Sequence, residues 1–339
     1  NQPAAGAYVA TPQKGIHDWI GSIDINSLYP SVIRALNMGP ETIVGQIRPV
    51  ITSAEINRAK HAKKSFAAAW DSQFGSWYAE RQEMQKKMRE CGDNEIEREY
   101  WDKRQLVKKI NLNSLYGAIL NPGCRFFDIR IGQSVTLTGR CITKHMGAKV
   151  NEIVAGKYDH TGQSVVYGDT DSVYFSANKT LQKEINEGII PWTKESVIAL
   201  YDKIAEEVNG SFKAFMTKAF HTPSTRGEVI KAGRELVASK GLFITKKRYA
   251  VLYYDVEGKR TDIEGKEGNM KAMGLDLKRS DTPVFVQDFL SEILYMVLTG
   301  KEEKDVLERI SEFRAEFKSR PGWEKGSPKR ANNMTKYTE

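Results

Sequence analysis

The chain has 339 residues, of which 40% are hydrophobic and 28% charged, with a formal net charge of +8. That length exceeds one ordinary domain and predicts two or three units around a sizeable core. No apolar run is long enough to cross a bilayer, and Asn1 to Gly6 lack the basic-then-apolar pattern of a signal peptide, which argues against a membrane partner and for a cytoplasmic protein. The chain does not start with Met and reads as an excised piece of something longer. Cys91, Cys124 and Cys141 fit no disulfide or zinc framework and suit a reducing interior. The positive charge is uneven. Between Lys231 and Arg279 there are twelve Lys/Arg against seven Asp/Glu, an excess that suits a polyanionic partner or a merely solvated face.

In chain order, Gly6-Ala7-Tyr8-Val9 opens a short leading segment. Trp19 to Ile25 reads as a core strand carrying Asp24 near its end, followed by Asn26 to Ser31 and an apolar helical stretch, Val32 to Leu36. A strand that delivers a carboxylate to a turn before a helix suits a metal site and aims backbone N–H groups at anions. Residues 41–75 show no clear period. Helical patterning runs from about Trp77 to Glu90, breaks at Cys91-Gly92-Asp93-Asn94, and resumes from Glu95 to Gly117, predicting two antiparallel helices. On the second, Lys109, Asn113 and Tyr116 share one face at i, i+4 and i+7. A cation, an amide and a phenol in one stripe suit a phosphate and a base edge. They equally suit a plain surface stripe closed by the helix-stop Gly117.

A helix is predicted from about Ile131 to Ala155. Val165 to Phe175 then reads as a buried hairpin with Asp169-Thr170-Asp171 at its tip and Gly168 permitting the turn. Two acids on an apolar ribbon must have their desolvation offset, commonly by divalent cations. An ordinary hairpin with a solvated acidic turn fits the spacing as well. Residues 193–220 read as an amphipathic helix that buries Ile198, Tyr201, Ile204, Val208 and Phe212. Phe243 to Tyr254 is β-rich with Lys246-Lys247-Arg248 inside. Consecutive cations cannot all face a core, which suggests a ribbon against nucleic-acid backbone. Helices are predicted from Thr282-Pro283 to Gly300 and from about Lys301 to Ser319, before a polar tail from Pro321.

These stretches together resemble family B DNA polymerases of the replicative type found in large tailed phages. Asp24-Ile25-Asn26-Ser27-Leu28-Tyr29-Pro30-Ser31 resembles motif A. Lys109 to Gly117 (KINLNSLYG) resembles motif B, and Tyr167-Gly168-Asp169-Thr170-Asp171-Ser172 resembles motif C. Lys246-Lys247-Arg248-Tyr249 resembles the family's basic motif beside the primer terminus. Gly6-Ala7-Tyr8-Val9 resembles the motif joining the exonuclease and polymerase regions. All occur in the family's order across most of residues 6–300.

The resemblance implies an α+β fold with an antiparallel-sheet palm (1–75 and 118–280), a two-helix fingers hairpin (76–117) and a partial helical thumb with a polar tail (281–339). The exonuclease region is expected to be absent and the thumb cut short. The implied reaction is attack of a primer 3′-hydroxyl on a deoxynucleoside triphosphate, with two divalent cations, Mg²⁺ or Mn²⁺. By resemblance, Asp24, Asp169 and Asp171 are the catalytic and metal-binding acids; Asp24 and Asp171 bridge the metals with the Ile25 carbonyl supplying another oxygen, and Asp169 has the more supportive role. Ser27, Leu28, Tyr29, Arg81, Lys109 and Asn113 would receive the nucleotide, with the Tyr29 ring excluding a 2′-hydroxyl. Tyr116, Gly117, Lys246, Lys247, Arg248 and Tyr249 would meet DNA. Where phage relatives carry a lysine one turn after the arginine, this chain has Gln85, with Lys86 adjacent. The implied partners are primer–template DNA and deoxynucleoside triphosphates, with a sliding clamp or a complementary polymerase fragment beside them, in host cytoplasm for a phage protein. The competing readings are a DNA-binding fragment that needs its missing portions for activity, and a two-metal nuclease.

Overall fold

The computed structural model describes residues 6–40, 42, 68–263 and 265–327, with side chains from Trp77 onward in the helix that begins at Ala68. Most of the unpatterned stretch 41–75, and residues 328–339 of the polar tail, lie outside the described residues. The chain adopts the α+β class expected of it. One seven-stranded antiparallel sheet contains β1 (Gly15–Ile25), β2 (Val165–Asp169), β3 (Ser172–Ser176), β4 (Ala232–Thr245), β5 (Arg248–Val256), β6 (Lys259–Arg260) and β7 (Asn269–Met273). The strand order is β2-β3-β1-β4-β5-β6, with β7 also paired to β5. The longer helices are α1 (Leu28–Leu36), α2 (Ala68–Glu90), α3 (Glu95–Ile119), α4 (Ile129–Ala155), α5 (Lys194–Phe220), α6 (Val284–Leu298) and α7 (Glu303–Ser319).

Strand alternation divides the core between the sheet's two faces. Ile23, Ile25, Val173, Phe175 and Val237 pack against α1, α4 and α5 through Val32, Val135, Ile142, Met146, Tyr201, Val208 and Phe212. Gly21 makes this contact possible, because a Cβ there would come within 2.5 Å of the Tyr201 ring. The other face carries an aromatic cluster of Tyr167, Tyr174, Phe243 and Tyr249 with Ile20 and Val251. A third cluster joins β5 to α6 through Leu252, Leu277, Leu294 and Leu298. Helix ends follow their capping residues: Asn94 and Asp128 accept from first-turn N–H groups, and Thr193 with Ser196 forms a capping box.

The structure departs from the sequence-based expectations at several points. Gly168 lies within β2, and the positive φ belongs to Thr170 (56°). The turn is held from outside: the Thr170 N–H donates to the Tyr8 carbonyl (2.8 Å) and its own carbonyl accepts from Thr143 Oγ1 (2.5 Å). Lys246 and Lys247 do not run through a strand but form the β4–β5 turn, with Lys247 at φ 59°. Gly274 lets the chain pass beneath this turn, since a side chain there would collide with the Lys247 carbonyl. In α5 Val197, not Ile198, is fully buried; the first helical turn meets the sheet one residue earlier than the pattern suggested.

His145 on α4 is buried between Phe212 and Phe215, stacked on the latter at 4.0 Å. Its ring nitrogens meet the Tyr158 hydroxyl (2.7 Å) and Ser211 Oγ (2.8 Å). Burial, reinforced by Lys149, pushes its pKa down to about 4. The folded chain therefore binds fewer protons here than the unfolded one between pH 6.5 and about 4, and this contribution to stability is lost as pH falls through that window. His145→Gln keeps the hydrogen bonding but cannot take up the proton. Its stability deficit against the wild type, roughly 1–2 kcal/mol at pH 7 from lost ring packing, is expected to narrow as pH falls below 6.5 and to reverse before pH 4 in urea unfolding; a constant gap would contradict this.

Candidate active site

Asp24 lies between Ile23 and Ile25, both at 0% exposure on the helix-facing side of β1. Alternation therefore turns its carboxyl to the opposite face, with Ser22. Asp24 pairs across the sheet with Ser172 of β3 and Gly233 of β4, and the next N–H, of Ile25, donates to the Asp171 carbonyl (2.9 Å). Backbone pairing thus carries Asp24 to the tip of the β2–β3 hairpin although some 145 residues separate them in sequence. Both carboxyls line one cavity of about 590 Å³.

Their electrostatics are unfavourable. Burial, then the charges of Asp171 and Glu235, push Asp24 up to about 8, against the opposing pull of Lys271 and Lys109. Burial also raises Asp171, reinforced by Asp169 and Glu235 and opposed by its own N–H and by Lys109. Two half-buried carboxyl groups facing one space is the situation a hard cation relieves. Among the described residues no group of three His, Cys, Asp or Glu side chains forms a protein-only metal cage. The donor set is all oxygen, and the Ile25 backbone lies at the same wall.

Asp169 is placed differently. Its carboxylate takes both bonds from Lys247 Nζ (2.8 and 3.0 Å), one from the Tyr167 hydroxyl (3.1 Å) and one from Thr170 Oγ1 (2.9 Å). It does not line the cavity; it ties the β4–β5 turn to the acidic hairpin. The Lys247 N–H completes the tie by donating to the Tyr167 hydroxyl (2.8 Å). Lys246, Lys247 and Arg248 are exposed at this turn. Tyr249 is buried, its hydroxyl 3.0 Å from that of Tyr174 and its ring stacked on Phe243, so it anchors the turn from within. At least seven of the twelve cations in the basic region have a carboxylate within 4.0 Å, among them Arg234 with Asp202 and Asp255. The raw excess therefore overstates the charge free to meet a polyanion.

The cavity's remaining walls come from α1, α2 and α3. Ser27, Leu28 and Tyr29 line it at the α1 N-terminus, where first-turn N–H groups lack intrahelical partners. Lys109, Asn113 and Tyr116 line it along α3, as their spacing predicted, and Arg81 and Gln85 face them from α2. The Tyr29 and Tyr116 rings meet at 4.6 Å and 42°, and burial pushes the Tyr116 hydroxyl up to about 12. Arg81 donates to Ser27 Oγ (3.0 Å) and to Gln105 Oε1 (3.2 Å). Gly117 is exposed, and a Cβ there would meet nothing within 4 Å. Lys86 is exposed, lies 3.8 Å from Glu90 and is not among the residues that line the cavity.

Sequence reasoning passed over Glu235 and Glu257 on the cavity wall, and Gln105 behind Arg81. Gln105 was within reach, since it extends the Lys109/Asn113 stripe one turn back. Glu235 was not, because its nearness to Asp24 depends on the register of β1 on β4, which a β-bulge at Ser22/Ile23 shifts.

The chain is similar in sequence to known DNA polymerases. The chain is 28% identical over 379 residues to a DNA-directed DNA polymerase of Escherichia phage RB69, covering 89% of this chain and 41% of that protein. It is 27% identical over 419 residues to the DNA-directed DNA polymerase of Enterobacteria phage T4, covering 100% and 45%. DNA polymerase 1 of Pyrococcus abyssi is 25% identical over 316 residues, covering 91% and 35%. The chain thus spans less than half the length of these relatives. The family model for DNA polymerase family B matches residues 1–321, and the chain belongs to that family.

Proposed function

We propose that this chain is the core of a template-directed DNA polymerase, extending a primer 3′-hydroxyl with deoxynucleoside triphosphates. The observation that carries the reading is one cavity lined by Asp24 and Asp171 on one side and by Arg81, Lys109, Asn113 and Tyr116 on the other. A nuclease would use the acids but has no need of a cation–amide–phenol stripe facing them. In this reading the sheet with α1, α4 and α5 is the palm, α2 and α3 are the fingers, and α6 and α7 begin the thumb.

Asp24 and Asp171, with the Ile25 carbonyl, would hold two Mg²⁺ or Mn²⁺ ions, which when bound stabilise charge on the attacking and leaving oxygens. The rest of the work falls to the chain's own groups. Lys109 and Arg81 bind the triphosphate as cations, and the Leu28 and Tyr29 N–H groups meet it at the α1 N-terminus. The Tyr29 ring, backed by Tyr116, fills the space a 2′-hydroxyl would need. Asp169 holds Lys247 beside the acids, so that the exposed ammonium can exchange a carboxylate for the primer strand. The Tyr167 hydroxyl and Thr170 Oγ1 would stay on the Asp169 carboxylate after such an exchange.

Three outcomes test this. Asp24→Ala or Asp171→Ala is expected to lower primer extension with Mg²⁺ by at least roughly 10³-fold while primer–template affinity stays within about twofold; retained extension would refute the assignment. Tyr29→Ala is expected to raise ribonucleotide incorporation relative to deoxyribonucleotide by roughly 10–100-fold, read as a ratio of kcat/KM values. In buffer with a chelator, Asp24→Asn is expected to melt at or above the wild-type temperature, since it relieves the repulsion with Asp171. Added Mg²⁺ should then raise the melting temperature of the wild type only, and an equal rise in both would place the ion elsewhere.

A further inference from the structure

The inference rests on the polymerase reading and concerns how its phosphate-binding cations are held. Of the α2 side chains lining the cavity, Arg81 is charged and Gln85 neutral. Lys109 is the other cation on that wall among the described residues. With two cations facing a triphosphate, the orientation of each carries more of the affinity. We propose that Gln105 is a positioning residue that fixes the Arg81 guanidinium for phosphate.

Arg81 Nε donates to Gln105 Oε1 (3.2 Å), and Nη1 donates to Ser27 Oγ (3.0 Å). A guanidinium offers five N–H donors in one plane. Fixing it at two corners orients the plane and leaves the Nη2 edge for an anion. Gln105 is itself held, because its Nε2 donates to Asp102 Oδ1 (2.9 Å), which leaves Oε1 turned toward the arginine. The chain of bonds runs from α3 through Arg81 of α2 to the turn before α1, so the helix that carries Lys109 also aims Arg81. A neutral acceptor suits this task, whereas a carboxylate would hold the guanidinium and cancel its charge. The bond is not needed to keep α2 and α3 together. Lys108 pairs with Glu80 and lies over Trp77, and Lys87 lies over Trp101 at 4.7 Å.

The test is a double-mutant cycle on the full chain with a primer–template whose 3′ end is dideoxy-terminated, titrated with dATP and Mg²⁺ by calorimetry. Gln105→Leu is expected to weaken dATP binding about fivefold, as for one lost hydrogen bond. Arg81→Ala should weaken it further, and the double variant should bind no more weakly than Arg81→Ala alone. In extension assays Gln105→Leu should raise KM and leave kcat nearly unchanged, which a loosened fold would not do selectively. Additive losses in the double variant, or wild-type binding by Gln105→Leu, would overturn the proposal. If Gln105→Leu does not fold, Asp102→Ala frees the same amide and serves in the same cycle. Inorganic tripolyphosphate, which needs no template, is titrated in parallel. Tripolyphosphate binding that depends on Gln105 through Arg81, with no dATP selectivity by template, would fail the polymerase reading and keep the positioning role; loss of both would end both.

Discussion

The backbone pairing of β1 with β3 and β4 is the constraint on which the site depends. Asp24 and Asp171 repel one another across a partly dry space, and no side-chain cation lies between them strongly enough to restore their ordinary acidity. What holds them together is main-chain hydrogen bonding on either side of Asp24, driven by burial of Ile23, Ile25, Val173 and Phe175 on the far face. Each buried aliphatic or aromatic side chain there contributes roughly 1.5–3 kcal/mol. Several of them together can sustain a local electrostatic cost that no surface ion pair could offset.

The same economy appears in the backbone. Ser27, Thr170 and Glu257 all have positive φ, and all line the cavity. For a β-branched residue such as Thr170 this is a strained conformation, which persists only where the surroundings over-determine it. The bonds from Tyr8 and Thr143 are those surroundings. The leading segment, which also bonds to Gly168 and Val166 along the free edge of β2, therefore does more than cover a sheet edge. It fixes the height at which Asp171 is presented.

Much of this was legible in the sequence because it is local. The period of α3 placed Lys109, Asn113 and Tyr116 together, and the apolar run before Asp24 marked a core strand that delivers it to a turn. The motif order joined the two acids before any geometry did. What could not be read depends on register or on competition between partners. The resemblance ranked Asp169 as the supporting acid, but the residues themselves do not show why: a two-residue turn sends the Asp171 carboxylate into the cavity and the Asp169 carboxylate to Lys247. Tyr249 looks like a fourth member of the basic run, but alternation on β5 buries it beneath the cations it follows. Gly168 looked like the turn residue, because sequence alone does not reveal that a threonine can be forced to take that role.

The division of labour between the two motif C acids has a physical rationale. A carboxylate engaged by Lys247, Tyr167 and Thr170 has its lone pairs largely committed. Such a carboxylate is a poor candidate for the direct ligand of a metal cation. Asp171, with no side-chain cation bonded to it among the described residues and its pKa raised by burial, is poised to gain from such a cation. Asp169 instead ties the basic β4–β5 turn to the acidic hairpin. Thr170 alone separates the two acids, so the turn that presents Asp171 to the cavity is the same one that gives the Asp169 carboxylate to Lys247.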